Sequence, residues 1–425
     1  MLHKTGINIT LKDRYTHMIL ENQLLEKYNI KLYSNDYTTY DIINDFLLNN
    51  QNEQPFYIID IGEIIKAYEK WILCFPNIKP YYAVKCNPNP VLLHVLSWLG
   101  TYFDCASENE MKTILDLTND PNKIIFANPC KMTSQIKYAR ANDVDMMTFD
   151  CEEELYKIKL YHPYANLILR LSVDDSKSLC KFNCKFGCKL ENVEYLINLI
   201  KLLKLKLIGF SFHVGSGCKS VDSYYTAIKT CRDAYDIALK YDMNITIIDI
   251  GGGFPGIHNE DGINIEEISE KINEAQQTFF QKELEAETIQ FIAEPGRYFV
   301  EKSHTLVLNV IGKKRETITN EDAIDSENII YYLNDGIYGS FNCIIFDHKI
   351  PVILPFNERN EKKMFKSKIF GPTCDSIDLI SNETMLPELT IGEWVYVENF
   401  GAYTTAPSSS FNGFITTDYK YILRN

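Results

Sequence analysis

The sequence lacks any long apolar run and any excess of basic residues. No stretch of its 425 residues reaches the ~18 apolar residues of a membrane span. The opening MLHKT leads into polar sequence without the apolar core of a signal peptide. With 43 basic and 57 acidic side chains, the net charge is −14, which disfavours contact with a phosphate backbone. We therefore expect neither a membrane nor a nucleic acid as a partner.

Cysteine is too sparse for a disulfide scaffold, with 12 in the whole chain. Cys180, Cys184 and Cys188 recur at every fourth position, as metal ligands on a helix face would. The intervening residues form helices poorly and no histidine lies nearby, so we expect no metal site. Reduced thiols in a cytoplasmic protein are the simplest interpretation.

Short β-rich runs alternate with helical stretches from about residue 55 to residue 300, in a chain long enough for two domains. This rhythm is typical of parallel βα units. Polar residues follow many different strands, which favours a closed (β/α)8 TIM barrel over an open sheet. We place the barrel at residues 60–300. The predicted strands are Phe56–Ile61, Tyr81–Lys85, Tyr102–Cys105, Ile124–Asn128, Met146–Phe149, Leu167–Val173, Leu207–His213, Ile245–Ile250 and Ile289–Glu294.

The character changes after residue 301, where predicted strands follow one another without long helices. We expect a mostly β domain at residues 301–425, with residues 1–59 packing against it. Arg315–Asn328 is acidic and poor in large apolar residues, which predicts an exposed, mobile loop. The predicted strands here are Thr305–Ile311, Ile329–Leu333, Ile344–Phe346, a strand around Ile369, Trp394–Val397 and Phe414–Tyr421.

Lys85 is the most informative residue, because it ends an apolar predicted strand. A desolvated lysine amine at that place suits a Schiff base with an aldehyde cofactor. Taken alone, a strand-end lysine is more often simply solvated.

Two glycine-rich segments strengthen the cofactor hypothesis. Gly251, Gly252 and Gly253 follow a buried strand and allow backbone N–H groups to approach a phosphate, although they equally suit a tight turn. The segment Glu294-Pro295-Gly296-Arg297 ends another strand. Glu294 could face a pyridine nitrogen and keep it protonated, or could form a buried salt bridge with Arg297. Arg297 and Ser216 would supply donors near the phosphate.

Further polar residues end predicted strands or occupy turns. His213 precedes small residues and could lie flat on a cofactor ring. Asp104 and Arg170 could hold the lysine and the cofactor, or could be salt-bridge partners at the barrel mouth. The candidates in the second half are Tyr338, Asp347, Cys374, Asp375 and Tyr403, of which the aspartates suit a distal ammonium and the cysteine a proton transfer. Together these residues predict a pyridoxal-phosphate site.

The strings that carry these residues resemble the eukaryotic ornithine decarboxylase family of fold-type III pyridoxal-phosphate enzymes. The resemblance runs from about residue 55 to the end of the chain. It implies an alanine-racemase-like barrel, a Greek-key-like C-terminal β barrel and a homodimer with two shared active sites. The matching strings include YYAVKCN (81–87), FDCAS (103–107), SFHVGSGC (211–218), DIGGGFPG (249–256), AEPGRY (293–298), NDGIYGSFNC (334–343), GPTCD (371–375), GAYT (401–404) and FNGF (411–414).

The resemblance also implies roles for individual residues in converting L-ornithine into putrescine and CO2, the first step of polyamine biosynthesis. Lys85 would bind the cofactor as a Schiff base, His213 would stack on its ring and Cys374 of the partner subunit would protonate the product. The implied cofactor ligands also include Asp104, Arg170, Ser216, Gly253, Glu294, Pro295, Gly296, Arg297 and Tyr403. The implied substrate ligands are Tyr338, Phe346, Asp347, Asp375 and Phe411.

The sequence departs from the animal enzymes at Phe346, where they have tyrosine. It ends at Asn425, so we expect it to lack their degradation-directing tail. Lys131–Lys159 resembles the surface that binds antizyme in animal homologues, which makes an antizyme a possible partner. Arginine or lysine decarboxylation and a non-catalytic, antizyme-inhibitor-like role remain alternatives.

Overall fold

Eight parallel strands close into a barrel in this computed structural model, which describes residues 22–49, 52–257, 263–318, 326–357, 363–414 and 417–424. The last strand pairs with the first, so the barrel has no free edge. The closed parallel barrel that the sequence predicts is therefore confirmed. In order around the barrel, the strands are Ile78–Ala83, Tyr102–Cys105, Ile124–Phe126, Met146–Phe149, Asn166–Arg170, Lys206–Ser211, Ile247–Asp249 and Gln290–Ala293.

Helices connect successive barrel strands, as a right-handed parallel crossover requires. Local sequence sets where they begin. Asn89 caps the first of them and Pro90 occupies its first turn, while Ser107 caps the next. The barrel helices are Pro90–Leu99, Glu108–Thr118, Thr133–Ala141, Glu152–Tyr161, Leu190–Leu203, Asp222–Lys240 and Ile265–Glu285, and Ile61–Cys74 precedes the first strand.

Apolar side chains fill the barrel interior. Tyr81, Ile125, Ile168, Ile208 and Ile292 form one buried cluster there. Because strand side chains alternate with period two, the inward position that follows this cluster lies nearer the carboxyl end of each strand. Polar residues occupy that next position on several strands: Asp104, Arg170, Asp249 and Glu294. The strand pattern therefore places charged groups together at one mouth of the barrel.

A second, mixed sheet contains nine strands among the described residues. Segments from both ends of the chain lie side by side in it, because Lys31–Tyr33 and Phe56–Asp60 both pair with Asp418–Arg424. The strand Trp394–Val397 pairs with His304–Ile318 but lies outside the main strand order of the sheet. The main order is Lys31–Tyr33, Asp418–Arg424, Phe56–Asp60, His304–Ile318, Ser326–Leu333, Met364–Phe370 and Leu379–Pro387, and Leu354–Pro355 pairs with Trp394–Val397.

Short elements complete the described chain. A two-stranded ribbon forms where Ser178–Cys180 pairs with Ser216–Cys218. The remaining helices are Asn22–Lys27, Thr39–Leu48, Arg297–Val300 and Cys343–Phe346, with 3-10 turns at Val84–Cys86, Pro121–Lys123, Ser340–Asn342 and Phe411–Gly413.

Three local predictions are wrong. Lys85 does not end a strand, because the strand stops at Ala83 and Lys85 lies in the following 3-10 turn. The predicted strand Ile344–Phe346 lies within the helix Cys343–Phe346, whose three apolar residues fit either structure.

The predicted mobile loop Arg315–Asn328 is the third. Its ends belong to the antiparallel pair His304–Ile318 and Ser326–Leu333, and residues 319–325 lie outside the described residues. Cross-strand pairing gives the described ends of this segment a regular structure that its composition does not indicate, so the loop prediction is wrong for those ends.

In the part of the chain that the structure describes, no helix combines the length and apolar character needed to cross a bilayer. The same residues contain no cluster of His, Cys, Asp or Glu side chains with the arrangement of metal ligands. Cys180, Cys184 and Cys188 thus form no such cluster.

Trp71 supports the loops that follow two barrel strands. Its fully buried indole packs 5.0 Å from the Phe254 ring and 5.9 Å from the Phe299 ring, between ring centroids, and its Nε1 donates to the Ile78 carbonyl at 3.1 Å. We expect Trp71→Ala to lower the free energy of unfolding by about 3–5 kcal/mol, measured by urea denaturation. Leu73→Ala is the matched control, since Leu73 lies on the same helix and is 79% exposed. Equal effects of the two substitutions would contradict this account.

Candidate active site

The amine of Lys85 lies in a cavity of about 300 Å³ at the mouth of the barrel. It forms an ion pair with Asp104, whose side chain is fully buried. Burial works to lower the pKa of Lys85, but the charge of Asp104 outweighs it and raises the pKa. The structure therefore holds a charged lysine beside an anionic partner, inside a pocket rather than in bulk solvent.

Glu294 follows the last barrel strand and borders the same cavity. Burial, with the neighbouring charge of Asp249, raises the pKa of Glu294 well above its ordinary value. Its Oε1 atom is buried without a hydrogen-bond donor among the described residues. The alternative in which Glu294 forms a salt bridge with Arg297 is not what the structure contains, because Arg297 pairs with Glu301 and Asp347.

The Gly251–Gly253 turn contributes Gly252 and Gly253 to the cavity wall. A Cβ at Gly252 would lie 2.9 Å from Nε2 of His213, and a Cβ at Gly253 would lie 2.6 Å from the Gly215 carbonyl oxygen. Gly253 also has a φ of +98°, which L side chains rarely adopt. Any side chain at these positions would collide with the neighbouring loops, so glycine allows the backbone of this cavity wall to pack closely against them.

Arg297 connects the barrel mouth to the second sheet region. Its Nη2 donates to Asp347 Oδ1 at 2.5 Å and to Ser216 Oγ at 3.3 Å, and its Nη1 lies 3.3 Å from Glu301 Oε1. Burial works to lower the pKa of Arg297, but the Glu301 and Asp347 carboxylates outweigh it and raise the pKa. The guanidinium is therefore a permanent positive charge on the cavity wall.

His213 lies two residues beyond the strand Lys206–Ser211 and lines the cavity. The Gly215 N–H donates to its Nδ1 at 2.9 Å, so the ring proton resides on Nε2. Burial, with the positive charges of Arg170 and Lys85, lowers the pKa of His213 well below its ordinary value. The imidazole is thus neutral and available to pack against an aromatic ring of a ligand in the cavity.

Arg170 and Tyr403 complete the cavity wall. The Arg170 guanidinium lies 5.2 Å from the centroid of the Phe186 ring, and the Arg297 guanidinium lies 5.2 Å from that of Tyr403. The Tyr403 N–H donates to the Cys86 carbonyl at 3.0 Å, next to Lys85. Pro295 contributes its carbonyl, which accepts from the Ala83 N–H at 3.2 Å.

A second group lies outside the Lys85 cavity and consists of Tyr338, Cys374, Asp375 and Phe411. The Tyr338 hydroxyl donates to Asp375 Oδ2 at 2.5 Å, which lowers the pKa of Asp375, and the Tyr338 and Phe411 rings stack at 4.3 Å. The Cys374 N–H donates to Asn412 Oδ1 at 2.9 Å, and the Cys374 side chain is exposed. None of the described side chains in this group lines the Lys85 cavity. Phe346 is 65% exposed beside buried Asp347 and belongs to neither set of contacts.

Sequence reasoning missed several residues of the cavity. Phe182, Lys185 and Phe186 line it from the segment after the ribbon strand Ser178–Cys180, and no strand-end pattern marks them. Sequence reasoning also assigned no role to Asp249, which is fully buried next to Glu294. A lone carboxylate in the apolar run ITIIDIGGG was the signal that could have identified it.

A pyridoxal phosphate fits the residues present. The cavity supplies an amine on Lys85, a buried carboxyl oxygen without a donor on Glu294, and backbone of the glycine turn together with the Arg297 guanidinium. These groups match the aldehyde, the ring nitrogen and the phosphate of that cofactor, in that order.

Residues 61–301 match the family described as pyridoxal-dependent decarboxylase, pyridoxal binding domain. That match covers more than half of the chain. The chain belongs to the pyridoxal-dependent decarboxylases. Pyridoxal phosphate is accordingly the cofactor of this decarboxylase.

Relatives of this decarboxylase span nearly all of its length. Ornithine decarboxylase of Rattus norvegicus is 39% identical over 407 residues, covering 94% of this chain and 87% of that protein. Antizyme inhibitor 2 of Xenopus laevis is 42% identical over 387 residues, covering 90% and 84%. The crystal structure of Paramecium bursaria Chlorella virus arginine decarboxylase bound to agmatine superposes with a TM-score of 0.83 at 35% identity, covering 90% of this chain and all of the other.

The glycine turn provides a test of cofactor binding. We expect Gly253→Ala to raise the dissociation constant for pyridoxal phosphate at least about tenfold, because the methyl group meets backbone. The measurement is equilibrium dialysis followed by absorbance of the retained cofactor. Gly392→Ala is the control, since Gly392 has a φ of +89° but nothing within 4 Å of a Cβ. Equal affinities of the two variants would contradict a role for Gly253 in binding the cofactor.

Proposed function

We propose that this protein decarboxylates L-ornithine to putrescine and CO2. The observation that carries the proposal is Lys85, held as an ion pair with Asp104 in a cavity that Glu294 and the glycine turn also border. The near full-length likeness to the rat enzyme, whose name states ornithine as its substrate, supports this choice of amino acid. All twelve cysteines are free thiols, which supports a reducing, cytoplasmic location.

Several residues of the cavity have defined roles in this proposal. Bound pyridoxal phosphate supplies the electron sink for the pair of electrons that departing CO2 leaves on Cα. Lys85 holds the cofactor aldehyde through its amine, and Asp104 orients that amine. Glu294 presents negative charge to the ring nitrogen, which keeps the nitrogen protonated. Arg297, Ser216 and the Gly253 N–H bind the phosphate.

Substrate selection would depend on carboxylates that bind the distal ammonium of the amino acid. Asp347 forms an ion pair with Arg297, which lines the cavity, and Asp375 accepts a hydrogen bond from the Tyr338 hydroxyl. Two carboxylates give paired charge-assisted hydrogen bonds to an ammonium group. Phe346 and Phe411 would supply apolar contacts to the methylene chain of ornithine.

We infer a homodimer in which each active site takes residues from both subunits. The group of Cys374, Asp375, Tyr338 and Phe411 lies outside the Lys85 cavity of its own chain, so it is available to a neighbouring one. Cys374 of the partner subunit would then deliver a proton to Cα of the product. Exposure of this thiol supports that role.

A non-catalytic regulatory role is the alternative, since one relative carries the name antizyme inhibitor 2. The complete cofactor cavity argues for catalysis. Lys85, Glu294 and Arg297 are each held by specific contacts that a purely binding protein would have no need to maintain.

Substrate preference can be measured directly. Purified protein with added pyridoxal phosphate should release CO2 and putrescine from ornithine with a kcat/KM more than about tenfold above that for lysine or arginine, because chain length sets the ammonium position. Lys85→Ala should release no amine. A preference for arginine or lysine would reject ornithine as the substrate, and an inactive wild-type protein that binds no cofactor would favour the regulatory role.

Shared active sites predict complementation between two inactive proteins. Lys85→Ala and Cys374→Ala should each lose most putrescine formation, whereas their mixture should recover up to about a quarter of wild-type activity, because half of the dimers are hybrids with one intact site. Cys151→Ala, which removes another exposed thiol, is the control and should retain activity. If mixing restores nothing although hybrids form by native mass spectrometry, the two groups do not act across an interface.

A further inference from the structure

The side chain of Asp249 makes contacts outside the pairing of its strand, and Asp249 has no role in the chemistry proposed above. It ends the barrel strand Ile247–Asp249 and is 0% exposed. Its Oδ1 accepts the Gly251 N–H at 2.9 Å, and the Gly251 carbonyl in turn accepts the Glu294 N–H at 2.7 Å. Asp249 thereby fixes the backbone that carries Glu294.

The side chains of Asp249 and Glu294 also meet. Their carboxyl groups lie within hydrogen-bonding reach of each other, and neither Asp249 Oδ2 nor Glu294 Oε1 has an N–H or O–H donor among the described residues. Two carboxylates cannot hydrogen-bond without a proton, and two adjacent buried negative charges repel strongly. The pair therefore holds one proton between two carboxyl groups.

The surroundings determine which partner keeps that proton. Burial raises the pKa of both groups, and the contact between them raises the pKa of Glu294 while it lowers that of Asp249, so Glu294 carries the proton when no cation touches it. The charged groups that face the pair are Lys85, Asp104 and Arg170. A protonated ring nitrogen in contact with Glu294 would favour the ionised form of Glu294 over that of Asp249.

We propose that Asp249 is a positioning residue that accepts the shared proton from Glu294 when the cofactor binds and then donates a hydrogen bond to the Glu294 carboxylate. The proton crosses one existing hydrogen bond, and the cofactor enters with its ring nitrogen already protonated, so no further donor is needed. This inference deepens the proposed function and rests on cofactor binding at Glu294.

The expected kinetic result depends on the substitution. Asp249→Asn should keep kcat within about threefold of wild type, because the amide can donate to Glu294 and its oxygen can still accept the Gly251 N–H. Asp249→Ala should lower kcat at least about tenfold with little change in KM, because Glu294 loses its donor while substrate contacts persist. Ser211→Ala, which removes a buried hydroxyl without a described partner from the paired strand, should behave as wild type.

Infrared spectroscopy provides a readout that does not depend on turnover. In protein labelled with ¹³C at the aspartate carboxyls, addition of pyridoxal phosphate should produce a new protonated-carboxyl band in the wild type and none in Asp249→Asn. In protein labelled at the glutamate carboxyls, a protonated-carboxyl band should disappear on the same addition, and this loss should be absent in Glu294→Gln.

Two outcomes would overturn the proposal. One is an Asp249→Asn protein as impaired in kcat as Asp249→Ala, which would mean that Asp249 must be charged. The other is cofactor binding without a new aspartate band. Failure of the proposed function can be distinguished from failure of this inference. In that case the wild-type protein would bind the cofactor but form no putrescine, and the infrared bands would still show whether the proton moves from Glu294 to Asp249.

Discussion

Closure of eight parallel strands forces ionisable side chains of both signs into one buried volume. Every strand ends at the same rim, and period-two alternation turns the residue after the apolar interior layer toward the barrel axis. Charges at that depth are unstable unless each has a partner. Lys85 is compensated by Asp104, and Arg297 by Asp347 and Glu301. The negative charge of the Asp249 and Glu294 pair is instead reduced by the proton that the two carboxyl groups share.

The same constraint links the barrel to the second sheet. Asn87, two residues after Lys85, donates its amide to the Gly401 carbonyl at 2.9 Å and lies 3.1 Å from His304 Nε2. The Tyr403 N–H bonds to Cys86 in the same region. Burial lowers the pKa of His304 to about 3, so this junction is uncharged at neutral pH. The lysine-bearing turn is therefore positioned by residues more than 200 positions away in the sequence.

Much of the barrel could be predicted from the sequence, because its strands are short, apolar and separated by amphipathic helices. Local pattern is sufficient where burial on both faces is the dominant force. It failed at Lys85, where the backbone leaves the strand to form a 3-10 turn, and at Cys343–Phe346, where three apolar residues suit a helix as well as a strand. Pairings such as Arg297 with Asp347 join distant segments, and no local period encodes them.

The separation of the candidate residues into two groups has a physical basis of its own. Lys85, Glu294 and Arg297 follow barrel strands, so closure alone brings them together. Cys374 and Asp375 follow a strand of the second sheet, where no such closure acts, and their turn is held by Asn412 and Tyr338 instead. One chain thus builds a cofactor pocket around Lys85 and, apart from it, the group around Cys374. In the homodimer proposed above, assembly between chains would bring these two groups together, which folding within one chain does not.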